Sequence, residues 1–251
     1  MRYDRHVHTG YSDGAPMAEM VRAAADAGLS GVGFADHCNV TDPEVKRRYG
    51  FDLDETYERR RADIEALEQE VDLTVFDAVE MDYYPDDERS IRRFLRDAGF
   101  EYSLGSVHYL DGFHVMKPGP FADASRADRR EFVDRYFDAL LRLVDSQLFD
   151  VAAHVDVVER NPALRGLATR DHYERLAESL ADSRTVPEVN AGRVFASYGT
   201  VHPHPDLLDV LADAGVEFVP GSDAHEPPAV EERSDYLRAL FEEQELSIAA
   251  L

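Results

Sequence analysis

The residues in this chain with the means to do chemistry are histidines and carboxylates, and they recur at short spacings. His6 and His8 form H-x-H near the start. Side chains two apart in a strand share a face, so both imidazoles can reach one ion. Asp223 and His225 form D-x-H near the end, within VPGSDAHEP, where Gly221 permits a tight turn after an apolar run. Between them lie Asp13, His37, Glu80, His108 and His154. Mixed imidazole and carboxylate donors suit Zn, Mn or Fe, whereas an all-oxygen set would suit Mg or Ca. The set reads as the ligands of two or three divalent ions, with Glu80 as the carboxylate able to bridge two of them. Two positions stay open: Asp13 can equally cap a helix entry, and Glu80 can be a solvated loop acid beside Asp82.

Elements that would gather these groups can be read from periodicity. Short β-branched runs predict strands at Tyr3–His8, Gly31–Ala35, Leu73–Val79, Tyr102–Val107, Leu148–Ala153, Thr185–Val189 and Val216–Pro220. Helical periodicity predicts helices at Pro16–Ala27, Leu53–Gln69, Glu88–Ala98, Arg126–Gln147, Thr169–Ser183, Pro205–Ala214 and Ala229–Glu243, with Pro16 in a first turn and Thr169 as a cap. Seven βα units in one chain of 251 residues imply an α/β fold with a closed or nearly closed parallel barrel rather than a small open sheet. His37, Glu80, His108, His154, Glu188 with Asn190, and Asp223 with His225 would then sit at the C-terminal strand ends, on one rim.

Other polar residues have a weaker claim. Asp36 and Asp156 are near ligand histidines and can orient them. Glu188 and Asn190 can receive a substrate ammonium or imidazole proton, or orient ligands. His114, in LDGFHVMKPGP, touches substrate if residues 109–120 fold over the rim, and is loop decoration otherwise. His202 and His204, in TVHPHP, read as a structured turn. His172, in RDHYERLAES, reads as solvated, and Cys38 as a small buried side chain beside the site.

Composition narrows the function classes. Against 51 acids stand 27 Lys plus Arg, a net charge of −24, and the only lysines are Lys46 and Lys117. That balance disfavours stable nucleic-acid binding and resembles a proteome adapted to high salt. The single cysteine excludes an internal disulfide. No signal-like N-terminus or membrane-length apolar run is present, so the expectation is a cytoplasmic protein without a membrane partner.

Read together and in order, HVHTGYSDG, FADH, Glu80, LGSVH, AHVD and GSDAH resemble the polymerase-and-histidinol-phosphatase (PHP) superfamily over nearly the whole chain. The resemblance implies a distorted (β/α)7 TIM-like barrel, one PHP domain over residues 1–251, and a trinuclear site. It implies that His6, His8, Glu80 and Asp223 hold one ion, that Glu80 bridges to a second held by His108 and His154, and that Asp13, His37 and His225 surround a third. YSLGSVHYLDGFHV, AAHVDVVERNP, PEVNAGR and GVEFVPGSDAHEP are closest to the histidinol-phosphatase branch, which implies hydrolysis of L-histidinol phosphate in histidine biosynthesis. Arg160 and Arg193 resemble that family's phosphate-contacting positions, and their guanidinium groups suit phosphate oxygens; surface salt bridges are the alternative. The short segment between His37 and Glu80 and the moderate one between His108 and His154 leave less wall to enclose a complex substrate.

The expected reaction is in-line attack on phosphorus by a hydroxide shared between two ions, with Arg160 and Arg193 clamping the small phosphorylated metabolite. Asp223 or a water would deliver the leaving-group proton, and metal would be lost below about pH 6 as histidines protonate. Two other readings compete. One is a broader phosphoesterase acting on nucleotides or other small esters; the other is a non-catalytic, metal-stabilised regulatory domain, which would need no more than a closed four-ligand site. Oligomeric state is not legible.

Overall fold

In the computed structural model, which describes residues 1–251, the apolar runs pair side by side as parallel strands. The elements are β1 (Tyr3–Val7), α1 (Met17–Asp26), β2 (Gly31–Cys38), α2 (Pro43–Tyr49), α3 (Leu53–Glu68), β3 (Thr74–Asp82), α4 (Glu88–Ala98), β4 (Tyr102–Ser106), the hairpin β5 (Tyr109–Leu110) and β6 (Phe113–His114), α5 (Arg126–Asp145), β7 (Val151–Ala152), α6 (Arg170–Ala181), β8 (Val186–Asn190), α7 (Pro205–Asp213), β9 (Val219–Gly221) and α8 (Pro227–Glu243). Seven of the strands form one sheet in the order β1-β2-β3-β4-β7-β8-β9. Its ends meet just past β9, where the His8 amide donates to the Ala224 carbonyl (2.9 Å) and the Asp223 amide to the His6 carbonyl (2.7 Å). The result is the distorted (β/α)7 barrel that the family resemblance implies.

Strands walled by helices on one face and by the barrel interior on the other have no solvated side, and β2 accordingly is buried at nearly every position. The larger apolar cluster lies between the sheet and α4 to α7; a smaller one packs α1 and Val230 of α8 against Val7, Val32 and Phe34. The N-terminal mouth of the barrel is stoppered by Arg5, stacked over Phe76 (4.1 Å), Tyr3 (5.0 Å) and Tyr102 (5.5 Å). Tyr102 donates to the Arg5 carbonyl (2.8 Å), and its ring fills the space that any side chain on Gly33 would need.

Arg60 of α3 is fully buried between β2 and β3, bonded to Asp36 (2.9 Å), to Asp77, and to the Phe34 (3.1 Å) and Ala78 (2.5 Å) carbonyls. A guanidinium can be taken from water only when paired in this way. The pairing fixes Asp36, whose oxygens also accept from the Thr9 amide (2.6 Å) and from Ser12 (2.8 Å). Asp36 thereby shapes the loop after β1 and stands behind His8, not His37, through Ser12, whose hydroxyl lies 3.4 Å from His8 Nδ1.

Helix ends follow local chemistry. Ser125 and Thr169 each form a reciprocal capping box, with Asp128 and His172 respectively. Pro16 stands just before α1, and no side chain caps that helix, so Asp13 is not a cap. Other expectations need correcting. His172 is buried, not solvated: it stacks on Phe137 (centroids 4.6 Å apart) and approaches Asp134 (3.1 Å). The extra helix α2 begins at Asp42, which accepts from the Glu44 (2.8 Å) and Val45 (3.2 Å) amides ahead of Pro43. Residues 109–120 form a hairpin turned by Asp111 and Gly112, both at positive φ, followed by a segment held down by Asn161, which donates to the Val115 (2.9 Å) and Lys117 (3.1 Å) carbonyls. No helix is long and apolar enough to cross a membrane.

Candidate metal centre and active site

Glu80, at the rim end of β3 and 1% exposed, is the hub of the site. Its Oε1 accepts from Ser106 (2.5 Å) and lies 2.8 Å from His154 Nε2 and 3.6 Å from His108 Nε2. Its Oε2 lies 2.7 Å from His37 Nδ1, 3.4 Å from His6 Nε2 and 3.7 Å from His8 Nε2. Yet Oε2 makes no well-formed hydrogen bond. A buried carboxylate oxygen ringed by imidazoles but left unbonded has the chemistry of a metal ligand.

The remaining groups converge on the same point. His6 Nε2 and His8 Nε2 are 3.1 Å apart, and His8 Nε2 is 3.2 Å from Asp223 Oδ1. Asp13 lies 3.2 Å from His225 Nε2 and 3.8 Å from both His8 and His37. Three overlapping sets have ligand atoms within 4.8 Å of one another: His6, His8 and Glu80; His37, Glu80 and His108; and His8, Asp13, His37 and His225. Every candidate ligand from the sequence is thus brought together, His154 joining through Glu80 (2.8 Å) and Asp223 through His8 (3.2 Å).

Groups behind the ligands set which ring nitrogen faces inward. Glu188 accepts from His6 Nδ1 (2.7 Å), Asp82 from His108 Nδ1 (2.8 Å), and the Asp223 carbonyl from His225 Nδ1 (3.0 Å). Each contact fixes the proton on Nδ1 and leaves the Nε2 lone pair for an ion. Glu188 is fully buried, its other oxygen accepting from the His154 amide (3.0 Å) and from Asn190 (3.1 Å), while Asn190 accepts from the Gly192 amide (2.8 Å). Glu188 and Asn190 stand behind the cavity wall, Glu188 holding His6 and Asn190 holding Glu188. Gly221 is required here, because a Cβ would overlap Glu188 Oε1. Asp156 serves a different segment: it accepts from His202 Nδ1 (2.6 Å) and from the His204 amide (2.6 Å), which keeps both histidines out of the ligand set.

Electrostatics within the cluster are finely divided. Against the cost of burial, Glu188 and then Glu80 hold His6 well above the ordinary histidine range, and Glu80 with Asp13 raises His37 to about 9. Burial, followed by the charges of His225 and His37, pushes His8 down to about 4. Glu80 and Asp223 stay ionised despite burial, through His37, His6 and His108 for the first and His8 and His225 for the second. The ionised Asp223 carboxylate, 3.2 Å from His8 Nε2, stands where the sequence placed it, among the ligand groups.

The cluster lines a cavity of about 240 Å³. Arg160 and Arg193 project into it with no carboxylate in ion-pairing reach, and burial, then the Arg193 charge, lowers Arg160 to about 10. They are not surface salt bridges. His114 lines the same cavity, where burial and then His108 push it down to about 4. Sequence reasoning missed Lys117, Tyr49, Phe51 and Tyr109 in the wall, with Phe51 stacked 4.4 Å from His37. It also missed Arg233, whose bonds to the Ser222 (3.1 Å) and Asp223 (2.7 Å) carbonyls support the left-handed turn at Asp223 (φ 52°). Asp82 had a signal, since it lies two residues after Glu80 and so on the same strand face; Arg233, on a distant helix, had none.

Fold and rim together define a seven-stranded βα barrel with a divalent-metal centre at its C-terminal mouth. The family model described as the PHP domain matches residues 4–192, and the chain belongs to that family. It is 30% identical over 237 residues to a protein of Deinococcus radiodurans named "Probable histidinol-phosphatase", covering 90% of this chain and 87% of that one. A protein of the same name from Clostridium acetobutylicum is 24% identical over 238 residues, with 90% and 87% covered. Among solved structures, the histidinol phosphate phosphatase of Lactococcus lactis, complexed with zinc, L-histidinol and phosphate, superposes with a TM-score of 0.76 at 19% identity, over 95% of this chain and 93% of that one.

Proposed function

We propose that this chain is a metal-dependent phosphomonoesterase whose substrate is L-histidinol phosphate, and that residues 1–251 work as one PHP domain. One observation carries the reading: two guanidinium groups without carboxylate partners face a dense cluster of metal-ligand chemistry across a single small cavity. Zinc, manganese or iron held by His6, His8, Asp13, His37, Glu80, His108, His154, Asp223 and His225 would lower the pKa of water and neutralise phosphate oxygens. The protein's own part is positional. Arg160 and Arg193 receive the phosphate oxygens that point away from the cluster, with Lys117 adding a third positive charge at the wall. Tyr49, Phe51 and Tyr109 offer flat faces to an aromatic leaving group, and His114, neutral at pH 7, has one N–H and one lone pair for a polar leaving group.

The names of the Deinococcus and Clostridium relatives support the substrate, as does the size of the cavity, which admits a small ester more readily than a polymer. The acidic, lysine-poor composition fits a cytoplasmic enzyme working in high salt. The test is phosphate release from L-histidinol phosphate by the zinc- or manganese-loaded protein, beside AMP and p-nitrophenyl phosphate. A strong preference for histidinol phosphate supports the assignment. Comparable turnover of all three would make the enzyme a broad phosphoesterase, and none with metal bound would leave the non-catalytic reading.

A further inference from the structure

Beyond the segment that carries Arg193, a second cavity of about 570 Å³ opens between the Val157–Arg160 turn, the start of α6 and the start of α7, and it shares no lining residue with the metal centre. Glu159 lines it and is only 4% exposed. One Glu159 oxygen accepts from the Gly166 amide (2.8 Å), and the other is buried with no partner. Tyr173 contributes an aromatic wall, and the Tyr198 ring, stacked on His202 (4.6 Å), carries a hydroxyl that is also buried and unpartnered. Such groups are rarely left unbonded unless something visits them.

The charge balance indicates what that visitor is. Both cations that line the cavity are engaged: Arg165 donates to the Glu159 carbonyl (2.8 Å) and lies over the Tyr198 ring (5.0 Å), while Arg170 bonds Glu174 (2.8 Å). The acids are not. Glu159 has its free oxygen, and Asp206 and Asp209 line the same cavity, Asp206 no closer than 3.8 Å to His204. Burial, and then the neighbouring Asp156, raise the Glu159 pKa and outweigh the pull of the Gly166 amide and of the His204 and Arg165 charges, a penalty that a further positive charge on the carboxylate would reverse.

We propose that this cavity is a second small-molecule site, one that takes a primary-amine cation with a flat body, its ammonium on Glu159 and its body against Tyr173. Tyr198 also lines a recess of about 300 Å³ with Arg160 and Arg193, so the site adjoins the phosphate-binding arginines. Resting on the phosphatase reading, occupancy should change the KM for a phosphomonoester.

The site is tested without turnover, by calorimetric titration of the metal-loaded protein with benzylamine, benzyl alcohol and benzoate. Saturating inorganic phosphate would block the metal centre, and salt near 0.5 M would cut the Debye length to roughly 4 Å, removing the pull of the chain's overall charge. The expected result is one benzylamine per chain, bound at least tenfold tighter than the alcohol. Glu159→Gln should bring the amine to the level of the alcohol. Tyr173→Leu, which leaves the Gly166 contact in place, should weaken both and stands in if the first variant does not fold. Equal binding of amine and alcohol, binding only above tens of millimolar, or affinity unchanged in both variants would overturn the site. Binding with an unchanged KM would leave the site and remove its coupling, whereas absence of all phosphatase activity would refute the catalytic reading alone.

Discussion

Replacing Glu188 by glutamine removes one charge and almost no volume, and the surroundings make that change costly. In the native site both Glu188 oxygens accept: one from His6 Nδ1 (2.7 Å), the other from the His154 amide (3.0 Å) and Asn190 (3.1 Å). A glutamine can present its oxygen on only one side. If the oxygen faces His6, the new NH2 confronts two donors in a fully buried place, at a cost of about 1–3 kcal/mol. If the NH2 faces His6, the imidazole must accept on Nδ1 and move its proton to Nε2, the nitrogen that would bind an ion. Either arrangement weakens one metal position by about 10–100-fold, equivalent to about 1.4–2.8 kcal/mol. The assay is competition for zinc between the chelator-stripped protein and a chromophoric chelator, with circular dichroism checking the fold. The tightest position should weaken within that range while the set around Asp13, His37 and His225, which Glu188 does not touch, stays within twofold. Unchanged affinity at every position, with the fold intact, would refute the argument that Glu188 selects the His6 tautomer.

Other outcomes follow from the same geometry. Arg193→Ala and Arg160→Ala each remove a charge-assisted contact worth about 1.5–3 kcal/mol, so kcat/KM for a phosphomonoester should fall about 10–150-fold with metal content unchanged. Because His37 is raised to about 9, protons compete with metal well above the pH 6 expected from ordinary histidines. Zinc affinity should climb from pH 6 to about 9 and then level, which a series of competition titrations would show; a plateau reached by pH 7 would contradict it. The sign for stability is opposite: His37 stabilises the metal-free fold fully below about 6.5, and that contribution is lost as pH rises through about 9, so the metal-free melting temperature should decline over that window. Zinc at 100 times its Kd should add about 2.7 kcal/mol, or roughly 5–11 °C in Tm for a chain of this size, and calorimetry before and after chelation measures it.

The barrel was legible because its strands are apolar on both faces and its ligands stand at their ends, so Tyr3–Val7 and Gly31–Cys38 and their counterparts were found within a few residues. Thr169 announced α6 for a local reason, a hydroxyl ahead of a helical pattern. Partners fixed only by tertiary contact were the ones missed or left open. Glu188 lies on a strand whose face depends on its register with β9, and Arg233 reaches the site from α8. His172 was misread from its polar neighbours although it repeats with Leu176 and Leu180 at helical spacing, a pattern that signals burial. The hairpin at 109–114 carried an Asp-Gly turn signal that a reading focused on loop closure passed over.

The seam where the two ends of the sheet meet bears on how the protein is made. His6 and His8 leave the ribosome first, but Asp223 and His225 are translated last among the ligands, and the His8–Ala224 and Asp223–His6 hydrogen bonds cannot form until they appear. At roughly 5–20 residues per second, tens of seconds separate the two ends during synthesis. A nascent chain can therefore offer passing ions only part of the set, and full coordination marks a molecule that has been translated through residue 225 and closed.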